Sequence, residues 1–204
     1  NLGDAAGTLA WAVAELRALP GVRVVAVSPL YATAPWGVTD QPEFRNAVVA
    51  LDVAMAPAQT PEAGALALLG RLKALERAAG RRPGQRWGPR ELDLDLLVFG
   101  RHRILVERTP DARSLEADDD PAKAARRLEV PHRDLGERLF VLAPLSDIAP
   151  RLVPPGWHET IATRRRDVAA AAAAAKDAAA TEAAEAARRI ASWDPAAGRW
   201  RDAP

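Results

Sequence analysis

Asp93 and Asp95 stand one residue apart, just downstream of an arginine-bearing turn, in Arg86-Trp87-Gly88-Pro89-Arg90-Glu91-Leu92-Asp93-Leu94-Asp95-Leu96-Leu97. Alternate side chains of an extended chain share a face. The spacing therefore predicts a strand with Asp93, Asp95, Leu97 and Phe99 on one face and Leu92, Leu94, Leu96 and Val98 on the other, toward a core. Neighbouring carboxylates repel unless a cation lies between them. Hard oxygen ligands suit Mg²⁺, which binds through one or two carboxylates plus substrate phosphates. Arginines at the preceding turn suit the same phosphates. A bare Asp-x-Asp reads first as the solvated face of an edge strand; the upstream Arg-Trp-Gly-Pro-Arg favours metal and phosphate.

The elements that must hold this segment follow from periodicity. Residues 4–19 read as a helix, with Leu9, Val13 and Leu16 on one stripe and Pro20-Gly21 as its stop. Residues 22–27 read as a strand, 28–42 as a long loop with three prolines, and 44–55 as a second strand. Thr60-Pro61 is a helix start, Leu68, Leu72 and Leu75 form its apolar stripe, and Gly80 ends it. A basic loop, 81–90, leads to the aspartates. The order is helix, strand, strand, helix, strand; one more strand in front would make it β-α-β-β-α-β, the ferredoxin-like arrangement. Residues 107–126, with Asp118-Asp119-Asp120, read as a solvated surface insertion. Residues 163–204 read as an Ala-rich extension with helix propensity but little apolar stripe; Trp193 and Trp200 are read first as pinning its end to the body, with a partner-binding segment as the alternative.

Composition narrows the classes. The 204 residues fit one domain with an extension, and 49% hydrophobic residues suffice for a core. A net charge of +1 gives no bulk electrostatic case for nucleic acid or membrane partners. Cysteine is absent, so no disulfide framework or thiolate chemistry is available, and no apolar run approaches a membrane span. The cytoplasm is the expected location. An RNA-reading sheet needs exposed aromatics and a basic face; here there are one Tyr and three Phe, and aspartates occupy the strand face.

Several motifs, in order, resemble the 6-hydroxymethyl-7,8-dihydropterin pyrophosphokinase family. They are Asn1-Leu2-Gly3-Asp4, Tyr31-Ala32-Thr33-Ala34-Pro35-Trp36-Gly37, Asp40-Gln41-Pro42-Glu43-Phe44-Arg45-Asn46, the aspartate segment, Val130-Pro131-His132 and Arg138-Leu139-Phe140-Val141-Leu142-Ala143-Pro144-Leu145. The resemblance implies an α+β, ferredoxin-like α/β sandwich with an antiparallel sheet. The family's first strand leads into the turn in which this sequence opens, so a strand upstream of Asn1 is expected in the working protein. It implies a pyrophosphokinase domain over 1–162, with 107–126 inserted and 163–204 appended. It also implies transfer of pyrophosphate from ATP to the pterin hydroxymethyl group, leaving AMP.

By the same resemblance Asp93 and Asp95 hold two Mg²⁺ ions, and Arg82 and Arg90 serve the transferring phosphates. Nucleotide contacts fall on Glu76, Arg82, Arg86, Trp87, Arg90 and Leu96, then on Arg127, His132 and Arg138. Whether Arg81 or Arg82 takes the phosphate role is left open by a loop one residue shorter than a common family form. The pterin falls to Thr33, Ala34, Trp36, Phe44, Asn46, Trp87 and Phe140, with Phe44 and Phe140 stacking on the ring and Asn46 reading its edge. Trp87 is expected in a lid over ATP. The expected partners are the pterin and ATP alone, with the protein a monomer. The rival reading is a nucleotide-binding relative without activity, which would form no AMP.

Overall fold

The computed structural model describes residues 1–35, 40–81, 90–113, 127–174 and 187–202. Helix α1 (Ala5–Ala18) starts where the Asp4 side chain accepts the Gly7 N–H at 2.9 Å, and it buries Val13 and Leu16. Gly21, at φ 72°, turns the chain into β1 (Val22–Val27). The expected 28–42 loop contains a strand, β2 (Leu30–Thr33), and the expected 44–55 strand divides into β3 (Phe44–Asn46) and β4 (Val49–Val53). β1 pairs antiparallel with β4, and β2 with β3.

The two pairs meet at a junction with a clear cause. Pro29 has no N–H to give a ladder. Ser28, fully buried, replaces the lost bonds: its N–H donates to the Val48 carbonyl and its Oγ accepts the Val48 N–H, both at 2.9 Å.

Helix α2 (Pro61–Ala78) has Thr60 as cap and Pro61 in its first turn, as the sequence implies. Leu68, Leu69, Leu72 and Leu75 form the main core with Leu16 of α1, Phe99, Ile104, Leu128 and Val130. Strands β5 (Ile104–Glu107) and β6 (Arg127–Val130) pair with Glu107 opposite Arg127, so the expected insertion joins the ends of a hairpin. A second cluster gathers Leu135, α3 (Leu139–Ile148) and Ile161 of α4 (Ile161–Ala174).

Two expectations need correction. Residues 91–99 join no ladder among the described residues. Phe99 also leaves the aspartate side: Leu94, Leu96 and Phe99 pack toward α2, while Leu97 and Val98 pack toward α3 and α4. Strict alternation therefore holds from Leu92 to Leu96 and then slips by one residue.

The extension adds a further hairpin. Strands β7 (Arg188–Asp194) and β8 (Arg199–Asp202) lie beyond β2, giving the order β3-β2-β7-β8. Its turn forms because Asp194 Oδ1 accepts the N–H groups of Ala196 and Ala197, and Gly198 takes φ 63°. The fold is thus mixed α/β with antiparallel sheets and, among the described residues, four helices. No helix among them is long and apolar enough to cross a membrane.

Candidate active site

The aspartate segment is held by side chains of α2 and by Arg81 just beyond its end. Lys73 Nζ donates to the Leu94 carbonyl at 2.9 Å, and the Leu94 N–H donates to Glu76 Oε1 at 2.6 Å. Arg81 Nη1 donates to the Leu92 carbonyl at 3.2 Å. A backbone that joins no ladder must place its polar groups somewhere; here buried side chains take the part of a neighbouring strand.

Those side chains also neutralise one another. Lys73 pairs with Glu76 at 2.7 Å and Arg81 with Glu76 at 2.9 Å, with side-chain exposures of 3%, 1% and 3% for Lys73, Glu76 and Arg81. The end of α2 explains the position of Arg81. Gly80, at φ 92°, lets its own N–H reach the Arg77 carbonyl and the Arg81 N–H reach the Glu76 carbonyl, a Schellman closure that folds Arg81 back under the helix.

Above this buried layer lie the two carboxylates, 38% exposed for Asp93 and 49% for Asp95. Both approach the same ammonium: Lys73 Nζ is 4.0 Å from Asp93 Oδ1 and 3.9 Å from Asp95 Oδ1. Asp93 also pairs with Arg81 and, at 2.9 Å, with Arg90. Burial would push the Asp93 carboxyl up; Lys73, Arg81 and Arg90 together win and hold it down at about 2. For Glu76, burial outweighs Lys73 and Arg81 and raises the carboxyl above its ordinary value.

A folded-state pKa below the ordinary 3.8 means stability that is full above pH 3.8 and lost as pH falls toward about 2. Asp93→Asn should therefore flatten the acid limb of stability between those values. Urea midpoints measured from pH 5 to pH 2 check this; an unchanged limb would remove Asp93 from the account.

Asp93 and Asp95 fit a divalent cation through their chemistry: two hard carboxylates converge on one positively charged point and remain open to solvent. Among the described residues no cluster of three His, Cys, Asp or Glu could cage a metal unaided. Such a pair suits Mg²⁺ completed by substrate phosphates.

The second group of candidate residues lies on β2 and β3. Thr33 stands opposite Phe44, and Asn46 opposite Tyr31. Asn46 Nδ2 donates to Thr33 Oγ1 at 2.8 Å, fixing the amide plane. Ala34 follows half-buried. Helix α3, carrying Phe140, packs against this strand pair, and Arg138 lies over the Phe140 ring at 5.7 Å. Asn1 links the segments that lead into the two groups: its side chain donates to Gln41 Oε1 and the Pro42 carbonyl, both at 2.9 Å, and accepts the Arg90 N–H at 3.1 Å.

Residues 1–150 match the family model described as 7,8-dihydro-6-hydroxymethylpterin-pyrophosphokinase (HPPK). The chain belongs to this family. Two bacterial members named 2-amino-4-hydroxy-6-hydroxymethyldihydropteridine pyrophosphokinase are each 42% identical to it. The one from Methylorubrum extorquens aligns over 156 residues, 76% of this chain and 82% of its own. The one from Pseudomonas aeruginosa aligns over 159 residues, 78% and 82%. The mitochondrial folate synthesis bifunctional protein of Arabidopsis thaliana is 41% identical over 128 residues, 63% of this chain and 18% of its own.

Of the residues that the HPPK resemblance singles out, the structure brings Glu76, Arg90, Asp93 and Asp95 together. Thr33, Phe44 and Asn46 form a second group. Leu96 turns its side chain into the core beside α2. His132 sits beside the aspartate segment, its N–H donating to the Leu97 carbonyl at 2.8 Å. Arg127 is exposed and pairs with Glu107 at 3.0 Å; Arg138 pairs with Asp134 at 2.6 Å. Trp36, Arg82, Arg86 and Trp87 lie outside the described residues.

One side chain escaped the sequence reading, and one alternative was left open by it. Lys73 is a charge within an apolar helix stripe, three residues before Glu76, and that spacing was its only signal. Arg81 was one of two adjacent arginines, and the Gly80 turn selects it for the buried position.

Proposed function

We propose that this protein transfers pyrophosphate from ATP to 6-hydroxymethyl-7,8-dihydropterin, giving AMP and the pterin diphosphate, a step of folate biosynthesis. The observation that carries the reading is the convergence of Asp93 and Asp95 on one cationic point, in a chain of the HPPK family. The pterin hydroxyl oxygen attacks the β-phosphorus, the bond from that phosphorus to the α-phosphate bridging oxygen breaks, and AMP leaves. The hydroxyl proton passes to solvent.

Asp93 and Asp95 hold Mg²⁺, as two ions, and the metal when bound neutralises charge on the triphosphate. The protein's own part is positioning and charge. Arg82, Arg86 and Arg90 take the phosphates, with Trp87 closing over them. Glu76, Leu96, Arg127, His132 and Arg138 line the nucleotide side. Thr33, Ala34, Trp36, Phe44, Asn46 and Phe140 receive the pterin. Around this site the chain is arranged as a ferredoxin-like sandwich over 1–162, with 107–126 inserted and 163–204 appended. It acts as a monomer in the cytoplasm on these two small molecules.

The test is AMP formation by purified protein with Mg²⁺ and ATP, with and without the pterin. Pterin-dependent AMP supports the reading; folded protein that binds ATP yet forms no AMP overturns it. Asn46→Ala should raise the pterin KM roughly 10- to 100-fold, the worth of a directed hydrogen bond or two. The ATP KM should stay within about twofold, because Asn46 stands on the β2–β3 side of the site.

A further inference from the structure

We propose that the β7–β8 hairpin is a positioning element of the pterin side of the site, setting how β2 and β3 stand on the rest of the molecule. The inference rests on the function just proposed, and its residues lie beyond the family match, which ends at residue 150.

Three contacts carry it. The first is the junction at Ser28, where the β2–β3 pair departs from β1–β4. Ser28 already spends its N–H and hydroxyl on Val48 and Pro29. Its carbonyl accepts the indole N–H of Trp200 at 2.9 Å, a buried bond across 172 positions of sequence. Trp200 is itself held edge-on by Trp193, at 4.6 Å between ring centroids, and Arg17 of α1 covers Trp193 at 5.5 Å.

The second contact is the ladder. β7 pairs with β2 at Leu30–Ala191, Tyr31–Arg189 and Ala32–Arg188, so it stops one residue before Thr33. A strand at a free edge can shift and twist; pairing on both sides fixes it. The third is at the far end. Arg188 reaches across β2 to Glu43 at 3.5 Å, and Glu43 also pairs with Arg45 at 3.1 Å. Glu43 immediately precedes Phe44. The hairpin thus grips the strand pair at its root and beside its tip, where Thr33, Phe44 and Asn46 stand.

Packing alone would make the hairpin a stabiliser; positioning predicts a selective effect. Trp200→Phe keeps an aromatic ring, though a smaller one, and removes the bond to Ser28. Arg188→Ala loosens the tip at an exposed position, and Arg188→Lys restores its charge. With AMP formation measured well below the melting temperature, Trp200→Phe should raise the pterin KM roughly 3- to 10-fold, the loss of one hydrogen bond. Arg188→Ala should raise it about twofold to threefold, as for an exposed ion pair. Arg188→Lys should return it toward wild type, and the ATP KM should hold throughout. Unchanged pterin KM in both Trp200→Phe and Arg188→Ala, or equal rises for both substrates, would overturn the proposal. If Trp200→Phe proves insoluble, the Arg188 pair decides alone. Wild-type protein that forms no AMP would instead sink the function itself. Amide hydrogen exchange at residues 30–33 and 44–46 then reads the hairpin's role: faster exchange in the variants supports it, and unchanged exchange overturns it.

Discussion

Asp95→Ala should lower AMP formation about a thousandfold or more, a loss near 4 kcal/mol of transition-state stabilisation, while leaving the fold intact. The two aspartates are unequal. Asp93 is gripped by Lys73, Arg81 and Arg90, so its removal disturbs a structural network as well as a ligand. Asp95 is half exposed, and among the described residues its ion-pair approach is to Lys73 at 3.9 Å. Its truncation removes a carboxylate at little expense to packing, so thermal stability without metal should stay within about 1 kcal/mol of wild type. Pterin-dependent AMP release, Mg²⁺ titration and thermal melts on one preparation check the three parts. A variant retaining a tenth of the wild-type rate would remove Asp95 from the metal site. A collapse of the melting temperature would instead make it a structural residue.

The fold was legible where a local pattern decided the outcome. Thr60-Pro61 and Gly80 bound α2 because caps act within one turn. It failed where long-range partners decided. The sequence places Asp93 and Asp95 on one face, and they are; it predicts a strand ladder there, and none forms among the described residues. The backbone of Leu92 and Leu94 bonds instead to Lys73, Glu76 and Arg81, which only the docking of α2 brings near. Likewise Ala-rich composition hid the β7–β8 hairpin. Its signal was the turn Asp194-Pro195-Ala196-Ala197-Gly198 between two tryptophan-bearing segments, too short to stand against the helix propensity before it. The pairing partner of β7 is β2, far back in the chain, and no local pattern records that.

Glu76→Leu should destabilise the protein by about 3–5 kcal/mol, the expense of removing the buried carboxylate that two buried cations share. At roughly 2–4 °C per kcal/mol the melting temperature should fall by about 6–20 °C. Among the described residues Glu76 is the carboxylate that faces both buried cations at 2.9 Å or less, and it also receives the Leu94 N–H. Its loss leaves Lys73 and Arg81 in the core with mutual repulsion and an unpartnered amide. Lys73→Met added to Glu76→Leu removes one of the two buried cations, so the double variant should be more stable than Glu76→Leu alone. Urea unfolding of the two single variants and the double measures that coupling. A Glu76→Leu protein within 1 kcal/mol of wild type would mean that the network carries no net stability. The functional consequence follows from place: Leu94 lies between the aspartates, and Glu76 holds its N–H. Glu76→Gln, which keeps an acceptor but loses the charge, should stay folded and bind Mg²⁺ in the presence of ATP more weakly by about 10-fold, as for a residue that orients a ligand. Unchanged Mg²⁺ affinity in folded Glu76→Gln would separate the buried network from the site above it.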